Sequence, residues 1–471
     1  VPITGSPIGS WETRLRLGGR VRSIESSRVP TPLELDLNTT DPELESDLTH
    51  SVCEVELNWV DENDALQTGV IRGPSSMLGT EPRFWVRDPK VRIPPQVLQH
   101  PDFPPAKHGW EFLKAVKQHR PEEVESRTGW SVMGWVPTSS GKPAFIVGRQ
   151  VLAQLRSDEE DLFAGLTDEE LPGASSFGVD DLYRRMCGPD QETLDGQPLD
   201  DYRKQVAADI RRVLEMFLES GAFGNRAVPV AVLGAMLRPT TPPKPQATLF
   251  FWGPPSGGKS FCAAATMSGW RSGPKVWHEN RLPGQAGDTA AAAELAVSMT
   301  PIWVADDLAP SPDRSQAERQ QANIDNLVRS IFNGTAKRRT EQGREMRDVN
   351  EPRALLVATA ENEPRTDSVR DRAIMIEVGA GTFGPSRDRV NELRTFFESD
   401  PACPRLVAAM IRFWMHGPAS QDSWRERTEL GSDYLAEAQE YAREHITTYS
   451  RVKSARMTRH TKLAGELTMP F

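Results

Sequence analysis

The stretch LFFWGPPSGGKS, residues 249–260, decides the fold. Four apolar residues run straight into Gly253, and a glycine-rich loop then ends in Lys259 and Ser260. A strand before the loop and a helix after it, over about 259–268, give the setting of a phosphate cradle. Gly253, Gly257 and Gly258 let the backbone bend tightly and approach an anion. The loop N–H groups and the start of the following helix then face phosphate oxygens. Lys259 is placed to reach the β- and γ-phosphates, and the Ser260 hydroxyl to ligate Mg²⁺. Gly253, Pro254, Ser256, Gly257, Gly258, Lys259 and Ser260 are therefore the expected nucleotide-binding residues, with ATP and Mg²⁺ as the expected ligands.

Further along, PIWVADDLAP (301–310) reads as an apolar strand that ends in Asp306 and Asp307. A buried strand is expected to be apolar throughout, so the paired acids need a reason. As a metal-holding pair, Asp306 supports the Mg²⁺ shell and Asp307 orients or polarises the attacking water. As a plain pair of capping acids they do neither. A third apolar strand, RALLVATAEN (353–362), ends in Thr359, Glu361 and Asn362, and a polar side chain there is expected to lie between the first two motifs. In SVRDRAIMIEV (368–378), Arg370 and Arg372 precede another strand. An arginine lent to a neighbour's γ-phosphate would stabilise the transition-state charge. The plainer alternative is a surface pair bridged to Asp367 or Asp371.

Between the second and third strands, helical spacing stops at Asn333-Gly334. The following KRRTEQGREMR (337–347) reads as a hairpin about Gln342-Gly343, with five bases against Glu341 and Glu345. It is either a solvated hairpin or one whose bases grip a phosphate backbone without reading sequence.

The 471 residues suffice for two or three domains, and 26% of them are charged. A net charge of −10 excludes a uniformly basic nucleic-acid coat but not a basic channel. The four cysteines form no C-x-x-C pair, so neither a zinc knuckle nor a disulfide framework is suggested. No apolar run is long enough for a membrane span. The N-terminus has no signal pattern and no starting Met, which suggests a fragment or a processed chain.

An Arg-rich run over 10–30 is followed by eleven acids and no Lys or Arg over 31–65. That acidic run reads as a solvated linker or an acidic docking surface. The expected organisation is a charge-segregated segment at 1–80, a small mixed α/β domain at 81–150, and a helical segment with a Pro-rich linker (TTPPKP) at 151–245. A parallel α/β core at 246–382 and a helical region at 383–471 complete it. The Trp residues of 80–150 read as core rather than as a stacking platform. The basic run from Arg451 to Lys462, opposed only by Glu466, reads as a frayed, solvated tail.

The order of these motifs resembles the AAA+ core of superfamily 3 helicases, found in viral, phage and plasmid replication proteins. DDLAP, LVRSIFNG, RALLVATAENEP and SVRDRAIMIEV are similar to bacterial helicase-like proteins of phages and integrative elements, often fused behind a primase–polymerase domain. The match covers about 227–380, is faint over 125–226, and is absent over 1–100 and the C-terminus. The resemblance implies an α/β fold with a P-loop ATPase core. It makes Asn362 the sensor, although Glu361 occupies the slot that usually holds it, and makes Arg372 the trans-acting finger. It places Lys337, Arg338, Arg339, Arg344 and Arg347 on a DNA-gripping hairpin. It further implies a homo-oligomeric, hexamer-like ring on single-stranded or forked DNA, in the cytoplasm of a bacterial host, with a primase–polymerase as a partner or an upstream domain.

Three functions compete at this stage. The first is a ring-forming, ATP-driven DNA helicase or translocase for replication of a phage or mobile element. The second is an ATP-switched scaffold, initiator or defence assembly without processive unwinding. The third is a P-loop kinase or GTPase. No N-K-x-D motif supports a GTPase, and a kinase needs neither the basic hairpin nor the trans arginine.

Overall fold

The computed structural model describes residues 2–3, 12–13, 17–30, 50–61, 63–105, 107–118, 124–138, 140–154, 156–187, 197–308, 314–335, 351–364, 366–416, 424–446, 459 and 462–467. Their contacts form two compact units. The first draws on 1–29, 41–131 and 161–165, the second on 30–40, 132–160 and 166–471.

The first unit is built on strands β1 (Leu17–Arg28), β2 (His50–Val60), β3 (Leu66–Pro74) and β4 (Glu125–Trp130), with the short strand Leu162–Ala164 at one edge. The sheet order is Leu162–Ala164, β4, β1, β2, β3. β2 pairs antiparallel with both neighbours, whereas β1 and β4 run parallel. Alternation in β2 sends Cys53, Val55, Leu57 and Trp59 into a core completed by Phe112, Leu113 and Val116 of α1 (Gly109–Val116).

The acids Glu54 and Glu56 alternate with those apolar residues, so they point away from that core. Arg20 reaches Glu56 at 3.2 Å, and Arg72 reaches Glu25 at 2.6 Å and Glu54 at 3.2 Å. The solvated-linker reading of 31–65 therefore fails over 50–60. Runs of opposite charge, far apart in sequence, neutralise each other across strand ladders. Residues 31–49 lie outside the described residues.

In the second unit a small antiparallel sheet comprises β5 (Gly134–Val136), β6 (Ala144–Val147) and β7 (Gln150–Leu152). Trp135 stacks edge-on against Phe145 and donates its indole N–H to the Thr240 carbonyl at 3.1 Å. Trp85, Trp130 and Trp135 are buried, as a core role requires, whereas Trp110 is exposed.

The helices α2 (Gln197–Leu214) and α3 (Ala227–Leu237) lead to the main sheet. Its strands are β8 (Thr248–Trp252), β9 (Ile302–Leu308), β10 (Leu355–Ala360) and β11 (Ile374–Glu377). All pair parallel, in the order β9, β10, β8, β11. β8 and β10 are apolar almost throughout because helices cover both faces of a parallel sheet. The Pro-rich break between α3 and β8 is packed rather than loose: Arg238, Thr240 and Thr241 are buried. Around the sheet lie α4 (Lys259–Met267), α5 (Ala290–Met299), α6 (Arg314–Asn333), α7 (Arg387–Ser399), α8 (Ala402–His416) and α9 (Trp424–Ile446).

The C-terminal run is not a solvated tail where it is described. Leu463 and Leu467 are buried, and Glu466, 1% exposed, meets fully buried Arg238 at 2.8 Å. Arg238 also donates to the carbonyls of Thr241 and Pro243, each at 2.8 Å. Basic composition suggested solvation, but the apolar and acidic residues within 462–467 supply a docking face.

Candidate nucleotide-binding site

The loop 253–258 joins the C-terminal end of β8 to α4. Gly253 has φ 147°, and a Cβ there would sit 2.1 Å from the Val378 carbonyl oxygen. Gly258 has φ 93°, and a Cβ there would strike the Phe383 ring at 2.3 Å. Side chains are therefore excluded on both sides of the loop, and its backbone is what a ligand meets. Ser256, at φ 58°, holds a left-handed conformation unusual for a residue with a Cβ. No side chain caps the first turn of α4, so its leading N–H groups are open to an anion. Lys259 Nζ donates to the carbonyls of Gly253 at 3.0 Å and Pro254 at 2.7 Å, which holds it over the loop and leaves a third donor.

β10 lies between β8 and β9, so the polar end of β10 falls between the loop and the paired acids. Thr359 Oγ is the group that occupies this place. It donates to Asp306 Oδ1 at 2.6 Å and accepts from the Asp307 N–H at 2.8 Å. Ser260 Oγ donates to Asp306 Oδ1 at 3.0 Å and to Oδ2 at 3.2 Å. One half-buried carboxylate thus receives two hydroxyls from two different motifs. Burial pushes the Asp306 pKa up, and the charge of Asp307 adds to this; the Thr359 and Ser260 hydrogen bonds oppose it. Asp307 sits at a break in the β9 register with φ 62°, which turns its side chain out.

These parts border a cleft of about 830 Å³, lined by loop residues 255–260 together with Asp307, Thr359, Glu361, Phe383, Arg387 and Arg394. Glu361 lines it. Asn362, the expected sensor, is exposed and not part of that lining. Thr359 and Glu361 are the polar groups that β10 presents to the cleft.

Arg372 and Arg370 lie elsewhere. Both precede β11, at the N-terminal end of the sheet, whereas the loop leaves the C-terminal end of β8. Arg370 is held by Glu363 at 3.6 Å and Asp367 at 3.4 Å. Arg372 donates to the Ser368 carbonyl at 2.7 Å and hydroxyl at 2.8 Å. Lys337, Arg338, Arg339, Arg344 and Arg347 lie outside the described residues; the flanking Thr335 and Glu351 are described. Glu351 pairs with Lys244 just before β8, at that same N-terminal end.

The site fits Mg²⁺ and a triphosphate. Ser260 and Asp306 are hard oxygen donors held in contact, which suits an ion that keeps several water and phosphate ligands. The loop and the open first turn of α4 suit the phosphates. Among the described residues no helix is long and apolar enough to cross a membrane.

No protein-family model matches the chain, and no curated protein matches it. Among solved structures, it is similar to the SCCmec type IV Cch active helicase, with a TM-score of 0.46 and 13% identity over 96% of this chain and 69% of that one. It is also similar to a JCV helicase bound to a small molecule, with a TM-score of 0.22 and 14% identity over 52% of this chain and 76% of that one. At these scores the functional reading rests on the site's own geometry.

Proposed function

We propose that the chain is an ATP-dependent DNA helicase or translocase of the AAA+ superfamily 3 type, working as a homo-oligomeric ring in replication of a phage or mobile element. The observation that carries this reading is the joining of Ser260, Asp306 and Thr359 beside a bare-backbone phosphate loop, with arginines at the opposite end of the sheet. The first is one half of a hydrolytic site, and the second is the half a neighbour would lend. The domain reading follows, with 246–382 as the ATPase core and 151–245 as its helical collar.

The residues act as follows. Backbone N–H groups of 253–258 and Lys259 hold the β- and γ-phosphates in line for attack. Ser260 and Asp306 hold Mg²⁺, which when bound supplies a Lewis acid against the charge developing on the phosphate oxygens. Thr359 fixes the orientation of Asp306 and, through the Asp307 N–H, the bend that turns Asp307 into the cleft. Asp307 and Glu361 orient the attacking water, with Asp307 as the base. Arg372 of a neighbouring copy neutralises charge at the γ-phosphate. The bases at 337–347 grip the DNA backbone.

The test is hydrolysis and strand separation by the purified full chain. Single-stranded DNA is expected to raise the ATPase rate, and forked DNA to be unwound in the presence of ATP and Mg²⁺. Equal rates with and without DNA, together with no unwinding, would refute the helicase reading. ATP-dependent assembly without unwinding would support the switched-scaffold reading instead.

A further inference from the structure

Three guanidinium groups and one ammonium converge at the N-terminal end of the main sheet. Arg329 Nε and Arg372 Nη1 both donate to Ser368 Oγ, at 3.3 and 2.8 Å, so the two charges sit side by side. Arg459 reaches the adjoining Asp371 at 3.1 Å. Arg372 and Lys462 both lie over the Phe332 ring, 5.6 and 4.3 Å from its centre. Arg372 Nε is buried and has no hydrogen-bond partner. Among the described residues neither Arg329 nor Arg372 has a carboxylate within salt-bridge distance, and Asp371 is the acid that pairs with Arg459. Burial, then the charges of Arg459 and Arg329, push the Arg372 pKa down. Like charges held this close are costly unless an anion meets them.

That anion is not the chain's own nucleotide. In the β8–β11 register Leu249 faces Ile374 and Trp252 faces Glu377, so Arg372 is level with the entrance of β8. The phosphate loop begins about six residues further on, roughly 20 Å away at strand spacing. None of Arg329, Arg372 and Arg459 lines the cleft. A compact cluster of guanidinium groups also matches the oxygens of one terminal phosphate better than the spaced charges of a polynucleotide backbone. Arg459 arrives there because 462–467 is docked by the buried Arg238–Glu466 pair.

The geometry points to Arg329 and Arg459 as partners of Arg372 in a composite receptor for the terminal phosphate of a nucleotide held in the cleft of a second copy of the chain. This rests on the proposed trans role of Arg372. It adds the C-terminal segment to the active site, so that its docking and the completion of the neighbour's cleft become one event.

The full-length variants Arg459→Gln and Arg329→Gln test it with ATP, Mg²⁺ and single-stranded DNA. Each is expected to lower turnover by about 10-fold or more, with the affinity for a fluorescent ATP analogue unchanged. Mixing Arg459→Gln with Lys259→Ala, each impaired alone, is expected to recover turnover, because one contributes an intact cleft and the other an intact receptor. A misfolded variant would give no recovery. Wild-type turnover in Arg459→Gln, or no recovery on mixing two variants that each keep the wild-type far-ultraviolet dichroism spectrum, overturns the composite receptor even where Arg372→Ala is inactive. Full turnover in Arg372→Ala instead sinks the trans reading itself. Loss of DNA affinity with unchanged basal hydrolysis would make the patch a DNA contact and overturn the proposal.

Discussion

The two ends of the four-stranded sheet are built from different materials. At the C-terminal end, backbone N–H groups, the Ser260 and Thr359 hydroxyls and the carboxylates of Asp306, Asp307 and Glu361 border a cleft. At the N-terminal end, arginines crowd round Ser368, Asp371 and the Phe332 ring. The first end suits a metal and phosphates; the second suits an anion. A parallel sheet keeps such ends apart by the length of its strands, and no side-chain rotation closes that gap. On the proposed reading, the difference means that one copy carries two half-sites that complete each other only between copies.

The largest effect is expected where the first end is broken. Lys259→Ala removes the cation held over the phosphate loop and should abolish ATP turnover, a loss of more than about 10³-fold, measured as phosphate release, with an unchanged far-ultraviolet dichroism spectrum. At the second end, Arg372→Ala should lower turnover on the order of 10³-fold while a fluorescent nucleotide still binds. If Arg372→Ala instead abolishes nucleotide binding, the division of labour between the ends collapses.

Glu361→Gln sharpens the picture within the first end. Its carboxylate faces the cleft, so turnover should fall by about 100-fold, and by more than in Asn362→Ala. The reverse order would return the sensor role to Asn362.

Much of the first end was legible in the sequence. A glycine-rich loop between a strand and a helix allows few conformations, and two acids ending an apolar strand demand a reason. The position of β10 between the two motifs was anticipated from its polar end; that Thr359 itself makes the bridge was not singled out. At the second end the sequence singles out only Arg370 and Arg372. Arg329 lies on an ordinary amphipathic helix, and Arg459 belongs to a run whose composition suggested solvation. Only tertiary docking brings them together, and local periodicity carries no trace of it. The first unit was obscured for a related reason. Acids at 54 and 56 read as part of a linker because the arginines that neutralise them lie at 20 and 72.

Asp306→Asn separates stability from chemistry. Burial raises the Asp306 pKa, so at neutral pH the ionised side chain is held less well folded than unfolded. The neutral amide removes that penalty and can still accept the Ser260 and Thr359 hydrogen bonds. Thermal unfolding without Mg²⁺ should move up by about 2 °C, while turnover is lost. A lower melting temperature would mean that the charge stabilises the metal-free loop.

The second end depends on a charge pair that is fully buried. Glu466→Leu strands the Arg238 guanidinium without its carboxylate and should destabilise the second unit by about 3 kcal/mol or more, read as a lower denaturation midpoint. The exposed ladder of the first unit provides the contrast. Arg20 is 49% exposed at its side chain and meets Glu56 at 3.2 Å. A double-mutant cycle on Arg20 and Glu56 should therefore give a coupling of at most about 1 kcal/mol. The hydrogen bond from Asn58, then those and the charge of Arg20, hold the Glu56 pKa below its ordinary value. A lowered carboxylate pKa stabilises the fold above the unfolded value and loses that contribution as pH falls through the folded one. The coupling should accordingly fade below about pH 4 and also weaken in high salt. A coupling as large as the Glu466 effect would mean that this sheet face is covered by something that keeps water out, and the acidic strand would then be an interface rather than a solvated surface.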